Sequence, residues 1–248
     1  MYQSVTPLSS QQHRNLRLLP ADGYDYARGQ TRVPIGIAEL TRAAAFYPIV
    51  FLDSRDRGPL PHALLGLSEA ENLFVDGSGR WLRPYVPMAI ARYPFVLARN
   101  GPDTYALSID DNSKRFSTSE GEPLFDSAGQ MSDLVRRILA EQTKLAQQLN
   151  QSAAFGAELE RRGLLRGVLV NLTGGTDGDK LSLAGMKFVD EKAFQLLPDD
   201  VVLAWWRSGY LALIHAHLLS IGQIQLLAQR KFAAAAAPRF EAEPIAAG

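Results

Sequence analysis

Aromatic and basic side chains alternate in one short stretch of the chain, where they could form a binding platform. Trp81, Arg83 and Tyr85 lie two residues apart, and Arg92 follows after a proline-containing segment. Aromatic rings stack on sugars, peptides or aromatic ligands, and guanidinium groups add cation–π contacts and hydrogen bonds. The same rings could instead fill a core, since each buries a large apolar area. The residue pattern favours a core role for these rings, and a binding platform is the alternative.

A second group of polar residues stands at the end of a predicted strand. Asp110 and Asn112 follow the apolar run Tyr105–Ile109 and could present a carboxylate to a substrate or a metal ion. Strand ends are also acidic simply because they meet water, and this explanation is favoured. The two groups together form the predicted ligand-binding set of Trp81, Arg83, Tyr85, Arg92, Asp110 and Asn112.

Patterns that would identify a catalytic or metal centre are missing from the sequence. The chain has no cysteine and only four histidines, which excludes disulfides, thiolate metal sites and cysteine nucleophiles. His215 and His217 are two apart on a predicted helix, so they do not share a face that could hold one metal ion. His217 is predicted to be a buried, hydrogen-bonded core residue. We therefore predict no cofactor and no metal, and we identify no catalytic residue.

Charge and patterning also limit the possible partners and the compartment. The chain carries 26 basic and 26 acidic residues, so a general attraction to nucleic acid is not supported. The N-terminus lacks the basic and apolar regions of a Sec signal. A cytoplasmic protein is therefore predicted, with envelope association or export by a non-Sec route as the alternative. Polar residues interrupt the uncharged stretch Ser208–Gln229, which predicts a core helix and no transmembrane span.

The elements that would position these residues form an α+β pattern. Short apolar runs cut by Gly and Pro predict strands between Tyr47 and Asp110, with a hairpin at the Asp76–Gly79 turn. A long helix is predicted from Ser132 to Arg162, followed by strands at 167–172 and 180–189. The predicted fold is α+β, with a β-rich N-terminal half and three to four C-terminal helices packed on a mixed or antiparallel sheet.

The predicted organisation has three segments. Residues 1–30 are polar and are predicted to form an irregular N-terminal arm. Residues 31–232 are predicted to form a single α+β domain. Residues 233–248 are rich in alanine and proline and are predicted to be a disordered tail. Within the domain, Trp205 and Trp206 are adjacent on a predicted helix and point about 100° apart. One of them should therefore be buried, and the other should lie at a helix contact or a groove wall.

The ordered series of motifs resembles the SapC family of bacterial proteins. The matching pieces cover roughly residues 35 to 230, and they are Tyr47–Phe51, Ala63–Leu67, Asn72–Asp76, Trp81, Tyr85–Pro87, Arg92–Phe95, Gly121–Asp126, Phe188–Glu191 and Gly209–Leu211 leading into Ala216–Ser220. The resemblance implies a bacterial protein with an envelope or surface-layer connection. Related proteins also occur near genes for halogenase-like proteins. The family has no established catalytic residues to carry over.

The resemblance and the missing catalytic pattern lead to one functional hypothesis and two alternatives. The leading hypothesis is a non-catalytic binding or assembly protein of the bacterial envelope or of a peptide- or halogenase-type modification cluster. Its partner would be another protein, a peptide or a glycan. The first alternative is an enzyme, or the subunit of one, acting on a peptide or glycan between Trp81, Tyr85, Arg92 and the Asp110–Asn112 turn. The second alternative is a small-ligand-binding protein.

Overall fold

The fold combines eight α-helices with twelve strands in the part of the chain that the structure describes. A computed structural model describes residues 1–54, 57–101, 104–174, 179–232 and 239–245. The strands are β1 Val5–Pro7, β2 Arg17–Leu18, β3 Arg32–Pro34, β4 Ile49–Ser54, β5 Gly58–Leu64, β6 Phe95–Arg99, β7 Tyr105–Asp110, β8 Phe116–Ser117, β9 Glu122–Pro123, β10 Leu165–Gly174, β11 Asp179–Val189 and β12 Arg239–Pro244. The helices are α1 Ser10–His13, α2 Leu40–Ala44, α3 Met88–Ala91, α4 Asp133–Arg161, α5 Glu191–Gln195, α6 Asp199–Ser208, α7 Tyr210–Ser220 and α8 Gln223–Phe232.

The strands form three antiparallel sheets, and the α+β prediction is confirmed. The largest sheet has the order β12-β10-β11-β4-β5-β3, and two smaller sheets have the orders β1-β7-β6 and β8-β2-β9. A short 3-10 turn at Asp25–Ala27 lies between β2 and β3, and another at Ile37–Glu39 leads from β3 into α2. A large core lies on the six-stranded sheet, and a smaller one lies under β6 and β7.

Helix α4 spans both cores and begins as the sequence predicts. The Ser132 hydroxyl accepts a hydrogen bond from the Val135 backbone N–H at 3.4 Å, which caps the helix. Gly163 follows its last turn with a φ of +68°, the left-handed conformation that glycine adopts without strain. Gly156 lets α4 touch β5 directly, because a Cβ at this position would come within 1.9 Å of the Pro59 carbonyl oxygen.

The first thirty residues are more ordered than the predicted arm. Strand β1 pairs with β7, and β2 pairs with both β8 and β9. Asp110 supports this pairing, because its carboxylate accepts hydrogen bonds from the backbone N–H groups of Gln3 and Ser4 at 3.1 and 2.9 Å. These bonds depend on partners roughly a hundred positions away along the chain, so local composition gave no sign of them.

The prediction of a disordered tail is wrong for residues 239–244, which form β12. Residues 233–238 and 246–248 of that tail, and residues 175–178 of the loop between β10 and β11, lie outside the described residues. β12 pairs with β10 from Thr173↔Arg239 to Val168↔Pro244, and Phe240 packs against the main core. A free strand edge offers unpaired backbone groups, so even a segment of weak propensity can become ordered on it.

His217 connects the two halves of the large sheet. Strands β11 and β4 pair at Lys187↔Phe51, and continuing that register places Val189 opposite Ile49. The His217 imidazole lies between these two residues: its Nε2 accepts from the Val189 N–H at 3.0 Å, and its Nδ1 lies 2.9 Å from the Ile49 carbonyl oxygen. Ser220 Oγ accepts from the Ile49 N–H at 3.0 Å. The prediction of a buried, hydrogen-bonded histidine is confirmed.

We expect His217 to make stability depend on pH. Burial lowers the pKa of His217 from 6.5 to about 4, and protonation of Nε2 would remove the acceptor for the Val189 N–H. Because the unfolded chain takes up this proton below pH 6.5 and the folded chain only near pH 4, the stabilisation is lost as pH falls through this window. Through this proton linkage, the free energy of unfolding falls by about 3 kcal/mol across the window.

Urea unfolding at several pH values measures this change. His217→Asn should lower the free energy of unfolding at pH 7, and its difference from the wild type should narrow toward pH 4. His215→Gln, an exposed neighbour on the same helix, is the matched control and should keep the wild-type pH dependence. A constant difference between His217→Asn and the wild type at all pH values would contradict this role.

A pair of adjacent proline substitutions should test the register of β12. The Ile245 N–H donates to the Gly167 carbonyl at 3.0 Å, so residues 241 and 243 stand in hydrogen-bonded pairs and residue 242 stands between them. Glu241→Pro removes a donor to β10, whereas Ala242→Pro removes an outward N–H, as Pro244 already does. Hydrogen exchange should show protection of the Leu169 and Asn171 amides lost in Glu241→Pro and kept in Ala242→Pro. Equal exchange in the two variants would contradict the register.

Candidate functional site

Trp81 is part of the core and does not form an open stacking face. Its side chain is 7% exposed, and its ring stacks on Phe74 at a centroid distance of 6.3 Å. The indole Nε1 donates to the Tyr47 hydroxyl at 2.8 Å, and that hydroxyl donates to the Tyr85 carbonyl. The indole is therefore satisfied from within the protein, which agrees with the core interpretation.

Tyr85 is half-buried and binds a carboxylate that the sequence analysis missed. Its hydroxyl donates to Glu39, a buried residue that also accepts from the backbone N–H groups of Met88 at 3.0 Å and Gly36 at 3.1 Å. The Arg42 guanidinium lies 4.6 Å from the centre of the Tyr85 ring. Burial, and then Glu39, raise the pKa of the Tyr85 phenol. The one sequence signal for Glu39 was an acid within an apolar segment, Ile37–Leu40.

Arg83 lies at the edge of the same aromatic cluster, next to a second arginine. The guanidinium carbons of Arg83 and Arg230 lie 5.8 and 5.1 Å from the centre of the Phe74 ring. Burial, and then the nearby Arg83 charge, lower the pKa of Arg230. The Nε atom of Arg83 is buried and has no hydrogen-bond partner among the described residues. This pair of cations depends on α8 and could not be read from the local motif.

Asp110 and Asn112 belong to a different part of the molecule. Asp110 is 1% exposed, and besides its two N-terminal backbone bonds it accepts from the Tyr93 hydroxyl at 3.1 Å. Burial, with Asp110 as a further cause, raises the pKa of this Tyr93 phenol. Asn112 is exposed and lines a polar cavity of about 430 Å³ with Asp22, Asp25 and Lys114. The predicted strand-end carboxylate is thus a structural anchor.

Arg92 lines an apolar groove between the first half of α4 and the α3–β6 segment. The groove has a volume of about 450 Å³, and its walls are Leu134, Ile138 and Leu145 on one side and Met88, Ala91 and Phe95 on the other. Leu18 and Arg115 also line it. This size falls within the range of small-ligand sites. The α4 residues recur at helical spacing, so one face of the helix forms the wall.

Two guanidinium groups in the groove have unused hydrogen-bonding capacity. Arg92 Nη1 lies 3.5 Å from Gln142 Oε1, a long contact, and Arg115 donates to the carbonyls of Tyr93 and Leu19 at 2.8 and 3.0 Å. The Nε atoms of Arg92 and Arg115 are buried without a partner among the described residues. The groove therefore combines apolar walls with cations that are not neutralised by a hydrogen-bonded acid.

The six predicted site residues do not form one site. Trp81, Arg83 and Tyr85 surround the Tyr47–Phe74 cluster, Arg92 lines the α4 groove, and Asp110 and Asn112 lie near the N-terminal strand. No group of three His, Asp or Glu side chains within the described ranges is placed to hold a metal ion. Their residue types can be read from the sequence, but which of them lie close together depends on chain topology.

An exposed apolar face lies on α6 and the loop before it. Trp205 is 5% exposed, whereas Trp206 is 73% exposed, so the pair divides as the helical geometry predicts. Trp206 is largely in solvent: with Leu203 and Val202 it forms the outer side of α6, and Leu196 just before the helix is 83% exposed. We call Leu196, Val202, Leu203 and Trp206 the α6 face. The sequence analysis did not identify it.

Helices α7 and α8 contain the one candidate membrane span found in the described residues. The stretch Tyr210–Phe232 is long and apolar enough to cross a bilayer by length and composition alone, a test that core helices also pass. Ile214, Ala216 and His217 are buried against the main core, and residues 221 and 222 form a turn between the two helices. The stretch is therefore weak evidence for a span.

Comparison with known proteins places the chain in a family. The SapC family model matches residues 8–227, which includes α4, the groove, the α6 face and the His217 junction. The chain has no match among curated proteins or among solved structures. Since the match covers most of the 248 residues, the chain belongs to the SapC family.

Proposed function

We propose that this protein is a non-catalytic binding or assembly protein that engages another protein through the α6 face. Solvent-exposed tryptophan is unusual on a surface without a partner, and Trp is among the residues that most often dominate binding energy at protein interfaces. Trp206, with 73% of its surface exposed, is the observation that carries this proposal. Val202 and Leu203, on the same side of α6, would extend the contact.

The surroundings of the α6 face support a protein partner more than a glycan. Asp199 and Asp200 lie in the first turn of α6 and Arg207 lies in its last turn, so charges of both signs border an apolar centre. An apolar centre with a polar border is the usual arrangement of a protein interface. A glycan site would need several polar groups directed at sugar hydroxyls, and the centre of this face is formed by aliphatic and indole groups.

The biological setting of the proposal rests on the family. SapC-family proteins are expected to act in the bacterial envelope or surface layer, or beside the proteins of a peptide- or halogenase-type modification cluster. We propose that the α6 face binds a protein of such an assembly. The enzymatic alternative gains no support from Asp110, because its carboxylate accepts three internal hydrogen bonds.

A negative charge introduced at position 206 should strongly weaken partner binding. Trp206→Glu places a carboxylate in the centre of the face, and we expect recovery of a specific partner to fall by at least about 10-fold, since such central residues contribute roughly 2 kcal/mol or more. The measurement is affinity purification of the tagged full chain from its native bacterial host, with quantitative mass spectrometry of the bound proteins.

A matched variant distinguishes specific binding by the α6 face from non-specific binding by any exposed aromatic side chain. Tyr105 is 57% exposed on β7, away from α6, so Tyr105→Glu should leave the bound proteins unchanged. Both variants should unfold at the wild-type temperature, because the two side chains are largely in solvent. Wild-type recovery of every partner by Trp206→Glu would overturn the proposal.

A further inference from the structure

The α4 groove contains a cation that the fold leaves largely unpaired. Arg92 carries five N–H donors, and within the described ranges it takes part in no ion pair. Its polar contacts are the 3.5 Å approach to Gln142 and a hydrogen bond with the Tyr2 phenol, neither of which neutralises its charge. A buried donor without an acceptor costs free energy, so an anion that supplies the acceptor would be stabilised here.

The groove is built to hold the arginine in place. The Gln142 side chain is 3% exposed and donates to the Phe95 carbonyl at 3.1 Å, which directs its oxygen toward Arg92. Arg115 is fixed by its two carbonyl acceptors and adds a second positive charge at the same end. Among the described residues, Glu141 is the one acid that lines the groove beside the two arginines, so this lining carries an excess of one positive charge.

The rest of the lining specifies an apolar ligand body. Leu134, Ile138 and Met88 are partly accessible along the walls, and their side chains would lose water on contact with an aliphatic chain. The volume of about 450 Å³ corresponds to roughly fifteen atoms the size of a water oxygen, at about 30 Å³ each. A single medium-length chain would fill it.

We propose that the α4 groove binds a medium-chain aliphatic carboxylate, with its head group on Arg92 and its chain between α4 and α3. A peptide fits less well, because its own backbone N–H and C=O groups would need partners and the walls are aliphatic. A glycan also fits less well, because its hydroxyl groups would need hydrogen-bond partners that aliphatic walls do not offer. The site is independent of the α6 face, so either can fail without the other.

Decanoate is a suitable probe for isothermal titration calorimetry with the full chain at pH 7 and below the micelle concentration. We expect saturable binding with one site, and binding at least roughly 10-fold weaker for decan-1-ol and for decyltrimethylammonium, because a charge-assisted hydrogen bond to the head group is lost. Arg92→Gln should weaken decanoate binding by a similar factor and remove the preference for the acid over the alcohol.

Two further variants separate a loss of decanoate binding from a loss of folding. Arg99→Gln changes an exposed arginine on β6 and should bind decanoate as the wild type does. Ala91→Phe fills the groove from an exposed position on α3 and should abolish binding while circular dichroism and melting temperature stay unchanged. Equal affinity for acid, alcohol and cation would overturn the proposal. Unaltered binding by Arg92→Gln, or tighter binding of a leucine-terminated peptide than of decanoate, would also overturn it.

Discussion

The large sheet depends on a histidine side chain at the junction of its two halves. Strands β11 and β4 separate after Lys187↔Phe51, and the His217 ring completes the ladder by joining the Val189 N–H to the Ile49 carbonyl. Only a neutral imidazole can accept at one nitrogen and donate at the other. His217 also attaches α7 to the sheet, together with Ser220, whose hydroxyl accepts from the Ile49 N–H.

Helix α4 connects that sheet to the region of the groove. Its second half packs on β5 through Gly156, and the Ser152 hydroxyl donates to the Ile35 carbonyl at 2.9 Å. Its first half covers the smaller core through Val135 and presents Leu134 and Ile138 to the groove. Buried polar groups on a helix require specific acceptors, so these bonds fix the rotation of α4 and hence the residues that face the groove.

Two aspartate turns of the same design lie just before Trp81 and just before Ser132. In each, an aspartate N–H and side chain bond to the residue four positions later, and a glycine with φ of +85° or +79° closes the turn. The first turn contains Asp76 and delivers Trp81 to the core. The second contains Asp126 and delivers Ser132, the cap of α4. The first was predicted as a hairpin, and the second repeats its bond pattern fifty residues later along the chain.

Sequence patterns determined the fold class, the extent of α4, the two strands β10 and β11, the burial of His217 and the family, because each depends on local periodicity, capping residues or an ordered motif series. Tertiary structure alone decided that Trp81 and Asp110 are satisfied internally and that residues 239–244 join β10. It also decided that Arg92 lines the groove whose other wall is formed by α4. The physical reason is that burial and hydrogen-bond satisfaction depend on partners far along the chain, and neither residue type nor spacing specifies those partners.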